Sequence, residues 1–164
     1  MTELAFERLS EYHDRLQRML RLLQWLRLHL GAMGCDAQAI DAARELMPFF
    51  NEVAPTHHEI EESSVFPPLL AAGQHVQTIY RLQREHLEMA DLWTQVRALL
   101  EPVAGGSWRG FAPDDEALLE RFTRLYDWHI AAEDELVFPA AARVLAAAPP
   151  RPAAQDMAQR HGAG

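Results

Sequence analysis

Residues 57 to 67 read HHEIEESSVFP and residues 129 to 139 read HIAAEDELVFP, one pattern written twice at a constant offset. His57 maps onto His129, Glu61 onto Glu133, Val65 onto Val137, Phe66 onto Phe138 and Pro67 onto Pro139. On a helix, a histidine and a glutamate four residues apart differ by about 40° around the axis and lie one turn apart on the same face. One such helix can offer two ligands to one metal ion. Two facing each other can enclose a pair of ions, so the repeat predicts a metal-binding helical bundle.

The remaining helices supply what the repeat lacks. An apolar stripe spaced three and four apart (Leu9, Tyr12, Leu16, Met19, Leu20, Leu23, Leu26, Leu30) predicts a first helix over about 2–30. A second helix is expected over 37–64, with a kink or break at Pro48 and Pro55. The third runs over about 74–100 with Ile79, Leu82, His86, Met89, Trp93, Val96 and Leu100 on one face. The fourth starts near Pro113, where Asp114, Asp115 and Glu116 suit a positive helix N-terminus. It turns Leu118, Phe122, Leu125, Tyr126 and His129 inward and kinks at Pro139. The fold class is therefore all-α, an up-down-up-down four-helix bundle over residues 1–147. Residues 148–164, rich in Ala and Pro with little to bury, read as a disordered tail.

His13 and His86 each sit in the middle of an apolar stripe on the odd-numbered helices. A lone histidine there usually reads as a satisfied core residue, and a lone His-x-x-x-Glu pair as a surface contact worth a few tenths of a kcal/mol. The joint pattern reads differently. Each helix offers one inward histidine, two offer a carboxylate one turn on, and burying all six without a cation is costly. The candidate metal ligands are thus His13, His57, Glu61, His86, His129 and Glu133. Bridging carboxylates with capping imidazoles suit two first-row metal ions, iron above all, ahead of manganese or zinc.

Composition narrows the partners. The chain has 164 residues, 49% hydrophobic, with a net charge of −9, a balance unsuited to neutralising the phosphates of nucleic acid. No apolar stretch reaches the length of a membrane span, and 1–16 lack the apolar core of a signal peptide, so a cytoplasmic location is expected. A single cysteine, Cys35, leaves no thiolate cage, so nitrogen and oxygen must hold any metal.

On the paired H-x-x-x-E…F-P motifs and the two lone histidines, the chain resembles the hemerythrin-like, HHE cation-binding family of non-haem di-iron proteins over about residues 4–146. The resemblance implies an oxo- or hydroxo-bridged di-iron centre with Glu61 and Glu133 bridging and the four histidines terminal. It implies a small ligand, oxygen, peroxide or nitric oxide, in sensing, detoxification or iron handling, a binding role more than that of a dedicated enzyme. The oxygen carriers of the family use a fifth histidine four residues from the third-helix one, but Leu82 and Ala90 stand there. Their fourth-helix carboxylate lies five residues after its histidine, at Asp134 here, whereas the internal repeat favours Glu133. The di-iron domains of iron–sulfur cluster repair proteins share the four-His, two-Glu set but add a cysteine-containing N-terminal segment. The competing function is a metal-free helical interaction module.

Of the other histidines, His58 would pair with Glu62 but faces Ile130 in the repeat, so an outer or surface place is expected. His29 lies roughly 24 Å along the helix from His13, too far to share a centre. His75 and His161 are expected to face solvent, and Glu62, Asp134 and Glu135 to back the imidazoles or to form a solvated face.

Overall fold

The computed structural model describes residues 3–148; the tail predicted at 148–164, including His161, falls outside them apart from Ala148. Four helical rods make an all-α bundle, with no strand among the described residues. The first is α1 (Glu3–Met33). The second joins α2 (Ala37–Pro48), α3 (Ala54–Ile60) and α4 (Phe66–Ala71) through two π-helical turns, Phe49–Val53 and Glu61–Val65. The third is α5 (Val76–Ala104). The fourth joins α6 (Pro113–Ala132) to α7 (Phe138–Ala147) through a third π turn, Glu133–Val137.

The prolines do not break the rods. The second rod runs through Pro48, Pro55, Pro67 and Pro68 without stopping, and ends at Ala71 instead of Ser64. A proline in a helix lacks an N–H and drives its ring against the carbonyl four residues back. Each π turn ends on a valine two residues before a proline: Val53 before Pro55, Val65 before Pro67, Val137 before Pro139. In each, a carbonyl accepts from the N–H five residues on, Phe49 from Ala54, Glu61 from Phe66 and Glu133 from Phe138. The widened turn gives the ring room while the rod continues. The V-x-P signal therefore writes a π turn, and in the two repeats that turn begins on the glutamate of the pattern, Glu61 or Glu133.

The turns use ordinary chemistry. After α4 and α5 the chain enters the left-handed region at Gly73 and Gly106, conformations that cost a side chain energy. Each closes a six-residue bond, Gln74 N–H to Leu69 O at 2.9 Å and Ser107 N–H to Pro102 O at 2.8 Å. Asp36 caps α2 through Ala39 N–H at 3.0 Å, and Asp115 accepts from Ala112 N–H at 2.8 Å at the start of α6. Trp108 and Phe111 of the long loop fold back onto the core, edge to face at 5.3 Å.

Two apolar clusters fill the bundle. The larger packs Leu16 to Leu30 of α1 against Leu46, Phe49, Phe50, Trp93, Phe122 and Tyr126. The smaller gathers Leu9, Val65, Phe66, Leu69, Ile79, Leu82, Val137 and Phe138 at the opposite end. All the predicted stripe residues of α1 and α5 are buried except Tyr12, which is half-buried. On α6 the fully buried leucine is Leu119, with Leu118 and Leu125 only half-buried, a shift of one position in the inward face.

Candidate metal centre

Between the two apolar clusters lies a polar layer. His13, His57, Glu61, His86, His129 and Glu133 are all buried, the two glutamates to 0% and 1% exposure. They form two groups, each with its donor atoms within 4.8 Å of one another: His13, His57, Glu61 and Glu133, and Glu61, His86, His129 and Glu133. Glu61 and Glu133 belong to both groups. Glu61 Oε1 lies 2.6 Å from His57 Nε2 and its Oε2 3.1 Å from His86 Nε2. Glu133 spans the layer in the same way, to His13 Nε2 at 3.0 Å and His129 Nε2 at 2.9 Å.

The π turns explain how neighbouring acids both reach inward. A wider turn splays consecutive side chains less than an α turn does. Glu61 points into the layer while Glu62 reaches His86 Nδ1 at 2.8 Å, itself steadied by Gln83 at 2.9 Å. Likewise Glu133 points inward while Asp134 takes His13 Nδ1 at 2.7 Å. Asp134 thus stands behind the ring of His13, 46% exposed, and outside both donor groups. Glu135 is exposed.

A carboxylate only accepts, so each of these contacts keeps the proton on Nδ1 and turns the lone pair of Nε2 inward. Glu85 does the same for His129, at 2.9 Å from Nδ1. Sequence reasoning missed Glu85: one residue before His86 it reads as solvated, because consecutive helical residues point about 100° apart. His57 differs from the other three. No carboxylate besides Glu61 pairs with it among the described residues, and Tyr12 stacks on its face at 3.5 Å. The sequence placed Tyr12 and Tyr126 only in apolar stripes; their hydroxyls were the overlooked signal, since a buried tyrosine O–H ordinarily needs a partner.

The donors fit a cation. Glu61 Oε1 and Oε2, Glu133 Oε1 and His57 Nε2 are fully buried and lack a hydrogen bond of sound geometry. Buried acceptors left without such a bond are costly unless a positive ion takes up their lone pairs.

Without a cation the layer sorts its protons unevenly. Burial and then the Glu133 carboxylate raise the Glu61 carboxyl well above the usual range. Burial pushes Glu133 the same way, but the imidazoles of His129 and His13 overcome it and hold Glu133 low. Burial opposes the charging of His13, yet Asp134 and Glu133 raise it to about 9. His129 likewise rises against burial to about 9 through Glu133 and Glu85. Burial holds His57 down to about 3, and burial plus the neighbouring His86 holds His58 down to about 2.

The remaining histidines fall where expected or close to it. His58 stacks on His86 at 4.0 Å, outside both donor groups. His29 bonds Asp36 at 2.8 Å, away from the layer. His75 is half-buried instead of solvent-facing, and opens α5 with a positive φ of 51°. Among the described residues no helix is long and apolar enough to cross a membrane.

A family model described as the hemerythrin HHE cation binding domain matches residues 4–141. A Haemophilus influenzae protein described as an uncharacterized protein is 30% identical over 131 residues, covering 79% of this chain and 74% of the relative. No solved structure matches the chain.

Proposed function

The chain belongs to the hemerythrin HHE cation-binding domain family, and from that premise we propose that it holds two iron ions and binds or reacts with a small ligand such as oxygen, peroxide or nitric oxide. His13 and His57 would hold one ion, His86 and His129 the other, and Glu61 and Glu133 would bridge them. The observation that carries the reading is the overlap of the two donor groups in those two glutamates. Four imidazoles and two carboxylates form a nitrogen-rich set that suits iron over magnesium or calcium, with manganese and zinc the nearest competitors. A bound pair of iron ions would supply a Lewis-acidic, redox-active position for the small ligand.

The protein's own residues have definite tasks. Asp134, Glu62 and Glu85 hold the Nδ1 protons of His13, His86 and His129 and so fix ring orientation and tautomer. The two apolar clusters close the layer off at either end of the bundle. The role in the cell, whether sensing, detoxification or iron handling, follows from the ligand's identity.

The test is metal analysis and absorption of untagged protein. The expected result is two irons per chain, near-ultraviolet absorption of a bridged diferric pair, and a visible charge-transfer band on adding azide. Zinc alone, after expression in iron-rich medium, would remove the redox role. Protein that takes up no metal would make it an interaction module.

A further inference from the structure

Each of the two donor groups is complete without the other. Glu61 and Glu133 belong to both, so either pair of histidines keeps two carboxylates and offers four donors. Two imidazoles and two carboxylates are enough for a four-coordinate ion. The layer can therefore hold one ion as well as two, and what stands behind each pair of histidines decides which ion leaves first.

Those surroundings are unequal. Glu62 backs His86 and Glu85 backs His129, and each carboxylate has a partner of its own, Gln83 at 2.9 Å and Arg81 at 3.2 Å. In the other group Asp134 backs His13 with a carboxylate that is 46% exposed. Behind His57 no second carboxylate stands among the described residues. Partners behind the ring fix a histidine's orientation and raise its basicity, and their loss costs metal affinity about 10- to 100-fold.

The openings differ in the same sense. A cavity of about 520 Å³ between α1 and the second rod has His57 in its wall. The cavity between the second rod and α5 is about 200 Å³ and has His58 in its wall, but neither His86 nor His129. The ring of His58 stacks on His86 at 4.0 Å. The larger opening thus meets the less firmly held pair.

We propose that the two ions are held unequally: His86 and His129 anchor a resident ion, while the ion on His13 and His57 exchanges as a divalent cation through the cavity beside α1. This rests on the dimetal reading above and adds a second capacity to it, the uptake and delivery of one divalent ion per chain without dismantling the centre. The exchange is ligand substitution alone. His13 and His57 give up the ion to incoming donors, Glu61 and Glu133 stay with the resident ion, and no electron moves.

The probe is ferrous iron, loaded without oxygen into the full-length protein and withdrawn by an excess of a coloured ferrous chelator. We expect one ion per chain to leave about 10- to 100-fold faster than the other. His57→Ala should hold a single ion that leaves at the slow rate. Glu85→Gln should close the gap by speeding the slow phase alone. Thr56→Trp, in the wall of the larger cavity, should slow the fast phase, and Ala90→Trp, in the wall of the smaller, should not. A fast phase that persists in His57→Ala, or a folded His57→Ala that holds no iron, would overturn the proposal. If His57→Ala does not fold, Glu85→Gln decides: a slow phase left at its wild-type rate overturns it. A fast phase untouched by Thr56→Trp overturns it as well. Two ions leaving wild-type protein at one rate would overturn it and leave the dimetal reading intact, whereas wild-type protein that takes up no iron would overturn both.

Discussion

The segments 57–67 and 129–139 share their local structure and differ in their electrostatics. In each, a histidine precedes a glutamate by one turn, a π turn opens on that glutamate, and Val-Phe-Pro follows. Yet the Glu61 carboxyl is driven up and the Glu133 carboxyl down, while His57 falls to about 3 and His129 rises to about 9. The cause is what the other helices bring. His13 and His129 both have outer carboxylates, so they charge and flank Glu133; His57 has a tyrosine face instead. A repeated sequence fixes which atoms face inward, and its neighbours fix the charge those atoms carry.

The strongest way to break the comparison is to remove the metal, because bound ions would make the two halves alike in charge. Ligand that binds only the folded chain adds about 4 kcal/mol at a thousand times its dissociation constant. For a domain of this size that amounts to a fall in melting temperature of more than about 8 °C on chelation. An unchanged melting temperature after verified metal removal would mean that the side chains satisfy one another.

The next effect is on the shared residues. Glu61→Ala and Glu133→Ala should each lose both metals, since each carboxylate faces both donor groups. His58→Ala and His29→Ala should keep most of their metal. Equal metal content across the four variants would refute the assignment.

A smaller effect separates the halves. Glu62→Gln and Glu85→Gln weaken the anchoring histidines and should lower metal affinity by about 10- to 100-fold, read by chelator competition. Values equal to wild type would show that the outer carboxylates are incidental.

The smallest effect is the pH dependence of the metal-free protein. His13 and His129 have folded pKa values of about 9, above the free value, so their stabilisation is complete below pH 6.5 and is lost as pH rises through 9. His57, depressed to about 3, withdraws stability as pH falls below 6.5 toward that value. Thermal melting of the chelated protein should therefore peak near pH 6.5. Glu133→Gln should flatten the alkaline limb, because it removes the carboxylate that both raised imidazoles face; an unchanged limb would refute the assignment of charge.

Much of the site was legible because it is local. A four-residue spacing on a helix is geometry, so His57 with Glu61 and His129 with Glu133 could be paired before any fold was known. His13 and His86 were legible because a polar residue within an apolar stripe has nowhere to go but inward. The prolines were read as kinks or breaks because the penalty of proline in an α-helix is a local rule. The compensating π turn became visible only with the backbone hydrogen bonds, although V-x-P marks all three of its occurrences among the described residues.

Spacing within one segment was enough for the four rods, for the inward faces of α1 and α5, and for the two His–Glu pairs four residues apart. Only the tertiary structure decided that Asp134 stands behind His13 while Glu133 enters the layer, that Glu85 backs His129, and that Tyr12 covers His57. These contacts join helices far apart in the chain, where helix rotation and crossing, not residue spacing, set which side chains meet. Proton placement follows the same division, because burial and neighbouring charge exist only once the helices have packed.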